Sequence, residues 1–219
     1  MMNDLKLIAF DLDGTVADTL ADLAAAVNFA LKRRGFDPYP VGDYRRFVGN
    51  GVDNLMMQVL KEHYTPAAGE GMKADFSAYY AEHCLDYTRK YPGVAELLNE
   101  LDDSGIKTAV ISNKPDAFVP KILQKLYPDH RFTLAWGQRS EVPRKPAPDA
   151  LLKAIALCGV RQDEVLYVGD SNVDVIFAHN AGVKVCGVSW GFRGAGELKE
   201  AGADVIVDSA DALRRVIIG

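Results

Sequence analysis

Cysteine is scarce and scattered in this chain: Cys84, Cys158 and Cys186 are the only three among 219 residues. An odd number at wide spacing excludes a disulfide framework and a cysteine-rich zinc site, and it suits a reducing compartment with buried thiols. Long apolar runs are missing too. None approaches the roughly 20 residues that a membrane helix needs, and Lys6 interrupts the only candidate for a signal peptide's apolar region. A cytoplasmic protein with no membrane role is therefore expected. Excess positive charge is also absent, since 25 Lys and Arg stand against 30 Asp and Glu, for a net charge of -5 and a pI near 5.4. Without a basic run no nucleic-acid partner is expected, and a small anionic ligand must be held by local donors. There are no internal repeats or low-complexity tracts. The composition, 48% hydrophobic and 25% charged, is that of an ordinary globular chain of one or two domains.

What the chain does have is an apolar run that ends in acid. Leu5 to Phe10 leads into Asp11-Leu12-Asp13-Gly14-Thr15, the pattern of a strand buried on both faces and followed by a polar loop. In parallel sheets ligands bind beyond the carboxyl ends of the strands, where Asp11 falls. Two carboxylates ~4 Å apart at an effective dielectric of ~20 repel by about 4 kcal/mol. A cation reverses that sign; without one, a carboxyl of the pair is pushed toward its protonated form. Thr15 as a helix N-cap with Asp18 as its capping-box partner accounts for those two residues, but it leaves Asp11 and Asp13 without partners.

Periodicity predicts a helix from Ala17 to Arg34 closed by Gly35, with Leu20, Leu23, Ala24, Val27, Ala30 and Leu31 on one face. No strand follows. Tyr44 to Val48 is short, Val52 to Tyr64 is helical in period, Pro66 to Gly71 reads as a break, and Phe76 to Arg89 reads as another helix. Residues 19–87 are thus expected to form a small helical domain inserted after the first strand, with 1–18 and 88–219 as the second domain. From Tyr91 onward helix and strand alternate. Expected strands cover Lys107 to Ile111, Phe132 to Trp136, Val165 to Val168, Val183 to Val188 and Asp204 to Val207. The fold class is α/β, a doubly wound parallel sheet with right-handed crossovers.

Several strands end in polar residues that packing alone does not require: Asp11 and Asp13, Ser112 and Asn113, and Asp170. All belong to one edge of such a sheet. Ser112-Asn113 can present a hydroxyl and a backbone N–H to an anion. Ser171 and Asp174 have helix-capping spacing, which accounts for Asp174 but not for Asp170. Asp11, Asp13 and Asp170 make an oxygen-rich site suited to octahedral Mg²⁺. Lys145, in a backbone stiffened by Pro146 and Pro148 just before a helix start, is a candidate functional cation with a fixed direction; Lys114, directly after Ser112-Asn113, competes with it.

Taken together, Asp11-Leu12-Asp13-Gly14-Thr15, Ser112-Asn113, Lys145-Pro146 and Gly169-Asp170-x3-Asp174 resemble, in order, the motifs of the haloacid dehalogenase superfamily of aspartyl-phosphate enzymes. The resemblance spans the α/β part, and the helical insert looks like that family's cap domain. It implies Asp11 as nucleophile, Asp13 as general acid and then base, Ser112, Asn113 and Lys145 as phosphate ligands, and Thr15 in support. It also implies Mg²⁺ held by Asp11, Asp170 and the Asp13 carbonyl, supported by Asp174. A dehalogenase has little use for Asp13 or Asp170, so a phosphatase acting on a small phosphorylated metabolite is the expectation. Alternatives are a sugar phosphomutase of the same family and a non-enzymatic, receiver-like phosphoacceptor domain. Phe47 to Val52 resembles the cap loop of the phosphoglycolate phosphatase subgroup. Gly49, Asn50 and Gly51, with Arg45 and Arg46 before them, are the expected specificity residues, an arginine being able to grip a carboxylate with two hydrogen bonds.

Overall fold

Strand β1, Leu7–Phe10, is buried at every position, as an apolar run with no polar face must be when both faces of its sheet are covered. The computed structural model describes residues 4–219, so positions 1–3 of the expected first segment lie outside the described residues. After β1 the chain forms a two-residue strand β2, Ala17–Asp18, then helices α1 Leu20–Arg33, α2 Tyr44–Phe47, α3 Gly51–Leu60 and α4 Pro66–His83. It returns through β3, Arg89–Lys90, which pairs antiparallel with β2. The remainder alternates: α5 Val94–Asp103, β4 Lys107–Pro115, α6 Phe118–Leu126, β5 Leu134–Gln138, α7 Asp149–Cys158, β6 Val165–Gly169, α8 Asn172–Asn180, β7 Lys184–Val188, α9 Gly194–Glu200, β8 Val205–Val207 and α10 Ala210–Ile217.

The six long strands form one parallel sheet in the order β5-β4-β1-β6-β7-β8. The winding direction reverses at β1, which lies between β4 and β6, and that is where an open α/β sheet leaves a crevice for ligand. One hydrophobic cluster, including Ile8, Phe10, Leu98, Val110, Ile122 and Leu166, covers one face of the sheet. A second, including Leu7, Ala9, Ile111, Leu151, Tyr167 and Phe177, covers the other. Helices α1 to α4 gather around a third cluster, with Leu31, Tyr44, Met56, Leu60, Phe76 and Tyr80 at its centre. Each large side chain so buried contributes about 1.5–3 kcal/mol.

Several local expectations change on folding. Thr15 does not cap the first helix. Gly14 N–H bonds back to the Ala17 carbonyl, the chain spends Ala17–Asp18 on β2, and the helix starts at Leu20. Pro66 to Gly71 is no break but the first turns of α4, because Thr65 accepts a bond from Ala68 N–H and Pro66 takes the first helical position, where its missing N–H costs nothing. That helix stops at His83, short of Arg89. Asp22, buried in the first turn of α1, accepts bonds from Tyr87 N–H, Thr88 N–H and the Thr88 hydroxyl, which fixes the returning chain. Strand β4 runs past Ile111 to Pro115, with a register shift between those two residues; Ser112 and Asn113 therefore sit at the end of the strand and not in a separate turn.

Candidate active site

The edge beyond β1 collects acid. Asp11, Asp170 and Asp174 are all buried, and each offers one carboxylate oxygen within 4.8 Å of the others. At that spacing and an effective dielectric of ~20, each ionised pair repels by roughly 3 kcal/mol. Lys145 opposes the repulsion: its Nζ is 2.8 Å from Asp11 Oδ1 and 2.8 Å from Asp174 Oδ1, and it donates to the Tyr167 hydroxyl at 3.0 Å. Three carboxylates around one ammonium still leave two negative charges, the charge of one divalent cation. The chemistry of this donor set fits a hard metal ion such as Mg²⁺.

The three carboxylates are not equivalent. Asp174 Oδ1 accepts from Lys145 and Tyr167, while Oδ2 accepts from the Ser171 N–H and hydroxyl in a capping box at the start of α8. Both oxygens are thus committed to the protein. Asp170 has only Oδ2 fixed, by the Phe192 N–H at 2.6 Å. Asp11 Oδ1 is buried and meets Lys145 at ion-pair distance, yet it receives no well-directed hydrogen bond from the described residues. Burial pushes Asp11 up to about 7; Lys145 opposes this, and Asp174 and Asp13 add to it. Asp170 is raised well above the carboxylate range by burial, then by Asp174 and Asp11. For Lys145, burial pulls the ammonium down, but Asp11 and Asp174 together hold it well above its ordinary value.

Two glycines allow this crowding. Gly14 adopts φ +88°, and a Cβ there would strike the Asp170 carboxylate. A Cβ on Gly191 would meet both Asp170 and the Gly14 carbonyl. Only backbone this bare lets the β1 and β7 loops close over Asp170.

Asp13 faces away from that cluster. The Thr19 hydroxyl donates to its Oδ1 at 2.5 Å, and Lys114 Nζ lies 2.9 Å from the same oxygen. Of the expected metal ligands, then, Asp11 and Asp170 lie together, whereas the Asp13 carboxylate is turned to Lys114. Asp11, Asp13, Ser112, Asn113 and Lys114 line a cleft with Gly49 and Gly51, roofed by Leu23, Val48, Val52, Leu55, Phe76 and Tyr80. The Asn113 side chain is used as a bracket: its Nδ2 donates to the carbonyls of Gly49 and Lys145, and its Oδ1 accepts from Lys145 N–H. Only its backbone remains for an anion. Thr15 is buried with no partner for its hydroxyl among the described residues, and its carbonyl accepts from the Trp190 indole.

Arg45, expected at the substrate, instead donates to the Gly191 carbonyl and does not line the cleft. The loop before α3 is held by donors from the sheet side. Arg193 reaches the Arg46 and Val48 carbonyls at 3.1 and 2.9 Å, Asn113 reaches Gly49, and Arg144 reaches the Asn50 carbonyl at 3.4 Å. Sequence reasoning passed over Arg193, Tyr167 and Tyr80. Arg193 follows the end of β7 on the ligand-binding edge, a signal that was available; a tyrosine inside a buried strand or on an apolar helix face carries none.

The profile of the haloacid dehalogenase-like hydrolases matches residues 8–188. The chain belongs to that family. A phosphoglycolate phosphatase of Vibrio parahaemolyticus is 34% identical over 220 residues, covering 98% of this chain and 96% of its own length. A phosphoglycolate phosphatase of Mannheimia succiniciproducens is 35% identical, covering 99% of this chain and 100% of itself. A crystal structure from Lactobacillus delbrueckii subsp. bulgaricus, whose assignment as a phosphoglycolate phosphatase is itself inferred, superposes with a TM-score of 0.94 at 34% identity over 99% of both chains. This haloacid dehalogenase-like hydrolase is a phosphatase, a phosphoric monoester hydrolase on the Rossmann-like core of its family with helices α1 to α4 inserted after β1. Among the described residues no helix is long and apolar enough to cross a membrane.

Proposed function

We propose that the chain hydrolyses a small phosphate monoester, 2-phosphoglycolate, through a phosphorylated Asp11. The observation that carries this reading is the pairing of a buried, poorly satisfied Asp11 carboxylate with an Asp13 that faces the cleft at the same strand end. The identity of the substrate is supported by the names of the relatives. Mg²⁺ bound by Asp11 and Asp170, with the Asp13 carbonyl and with Asp174 in support, would neutralise phosphoryl charge.

Asp11 attacks phosphorus, forming a new P–O bond as the bond to the leaving oxygen breaks, and Asp13 gives that oxygen its proton. Asp13, now a carboxylate, takes a proton from water as the water oxygen attacks the phosphoryl group and Asp11 is released. Ester and water thus yield alcohol and inorganic phosphate. Lys145, Ser112 and the Asn113 backbone stabilise the charge spread over the equatorial oxygens. Division into two steps matters because uncatalysed monoester hydrolysis is among the slowest reactions known, with accelerations reaching ~10²¹.

The test is turnover of a panel of phosphorylated metabolites with Mg²⁺ and with chelator, in wild type and Asp11→Asn. Preference for phosphoglycolate, loss of activity in chelator and loss in the variant are expected. Substantial steady-state hydrolysis by pure Asp11→Asn would remove Asp11 from the nucleophile's role. A hexose phosphate turned over faster than phosphoglycolate would remove the substrate assignment.

A further inference from the structure

Beyond the strand ends the cleft is walled by Leu23, Val48, Val52, Leu55 and Phe76. Two polar groups interrupt that apolar wall. Lys114, its side chain 2% exposed, keeps its Nζ 2.9 Å from Asp13 and 4.7 Å from the centre of the Tyr80 ring. The Tyr80 hydroxyl is buried and receives no well-directed hydrogen bond from the described residues, its nearby polar neighbour being the Lys114 ammonium itself. Phe76 stacks on the Tyr80 ring at 5.2 Å and Phe118 meets it edge-on at 5.0 Å, so the ring is fixed in place.

An ammonium has three donors, and Asp13 occupies one direction. Lys114 neutralises Asp13 and lies beside the phenol, but it satisfies that hydroxyl poorly, and a buried hydroxyl so weakly bonded is costly unless a further group completes it. The other cations near the cleft have other partners. Lys145 stands by Asp11 and Asp174 at the phosphoryl end, and Arg45, Arg144 and Arg193 donate to backbone carbonyls.

The geometry points to Lys114 and Tyr80 as the subsite for a carboxylate on the leaving group of the substrate. This rests on the phosphatase reading and places the carboxylate contact on the sheet side, at Lys114, and not at Arg45. Asp13 at the leaving oxygen and Lys114 beside it put the two sites one short group apart, the reach of a 2-phospho acid. The apolar wall also discriminates. A hexose phosphate would bring several hydroxyls against Leu23, Val52 and Leu55, where each would lose its partners, while a short carboxylated ester needs only the two groups present.

The experiment compares kcat/KM for phosphoglycolate with that for ethyl phosphate, its counterpart with a methyl group in place of the carboxylate, and for phospholactate with that for isopropyl phosphate. Both esters of a pair release an alcohol that needs protonation, so effects passing through Asp13 largely cancel in the ratio. Loss of a desolvated charge-assisted contact is worth roughly ten- to a hundredfold. Lys114→Met should lower the carboxylate ratio by that factor, Tyr80→Phe severalfold, and Lys114→Arg less than Lys114→Met. Tyr80→Phe keeps the ring and removes only the hydroxyl, so it decides the question even if Lys114→Met does not fold. Ratios unchanged in both variants would overturn the subsite and leave the phosphatase reading standing. A wild type that prefers phospholactate, with the same dependence on Lys114 and Tyr80, supports the subsite and displaces phosphoglycolate as substrate. A wild type indifferent to the carboxylate overturns the subsite alone, and one that hydrolyses no monoester overturns both.

Discussion

Replacing Asp11 by Asn measures what it costs to bury an ionised carboxylate at position 11, among other carboxylates, when no metal offsets it. Burial raises Asp11 from 3.8 to about 7, Lys145 opposing and Asp174 and Asp13 adding to the rise. In the unfolded chain the same group titrates near 4. Between about pH 4 and pH 7 the folded protein keeps a proton that the unfolded chain has released, so metal-free stability falls as pH rises through that window. The displacement corresponds to at most about 4 kcal/mol at roughly 1.4 kcal/mol per pH unit. An amide at position 11 has no proton to lose. In chelator, Asp11→Asn should therefore match wild type only below about pH 4 and exceed it increasingly above, by roughly 1 M in urea midpoint at pH 5 and up to about 2 M at pH 8 for an m-value near 2 kcal/mol/M. The comparison cancels titrating groups remote from Asp11; Asp170, raised in part by Asp11 itself, is relieved in the variant, which acts in the same direction. Saturating Mg²⁺ should close or reverse the gap, because a dication favours the ionised carboxylates of the wild type. Urea unfolding followed by far-UV circular dichroism at the two pH values, with and without Mg²⁺, is the assay. A gap of the same size at pH 5 and pH 8 would refute the argument.

Other substitutions separate neighbouring roles. Asp174→Ala removes a side chain whose two oxygens accept four bonds and should cost about 3 kcal/mol of stability with or without metal, whereas Asp170→Ala should chiefly raise the Mg²⁺ concentration needed for half-maximal rate; melting curves and metal-activation curves distinguish them. Gly14→Ala forces a side chain into φ +88° and against Asp170, so a loss of roughly 2 kcal/mol or more is expected, read by thermal unfolding, together with at least tenfold weaker Mg²⁺ activation. Arg193→Ala frees the Arg46 and Val48 carbonyls and should raise KM for phosphoglycolate roughly fivefold with little change in melting temperature; steady-state kinetics would show the reasoning wrong if kcat fell and KM did not move.

The core of the fold was legible because its signals are local. Leu7 to Phe10 had to be covered on both faces, and Val165 to Gly169 is buried throughout in the same way. Once such strands are parallel, their carboxyl ends share an edge, which brings Asp11, Ser112 and Asp170 together whatever the details of the helices. The helix boundaries were less legible. At Pro66 a breaker signal and a first-turn signal are the same residue, and only the Thr65 cap distinguishes them. Thr15 and Asp18 have capping-box spacing, but pairing of Ala17–Asp18 with Arg89–Lys90, some 70 residues on, competes with the helix and wins. What only the tertiary structure decided is the division of labour among charges. Sequence alone left Lys114 and Lys145 as rivals; folding puts Lys145 between Asp11 and Asp174 and Lys114 against Asp13. It also turns Arg45 to the Gly191 carbonyl and brings Arg193 to the loop in its place, across separations of about 145 residues. Backbone periodicity is written in neighbours three or four positions apart, whereas the partner of a charged side chain is set by how the helical insert settles on the sheet.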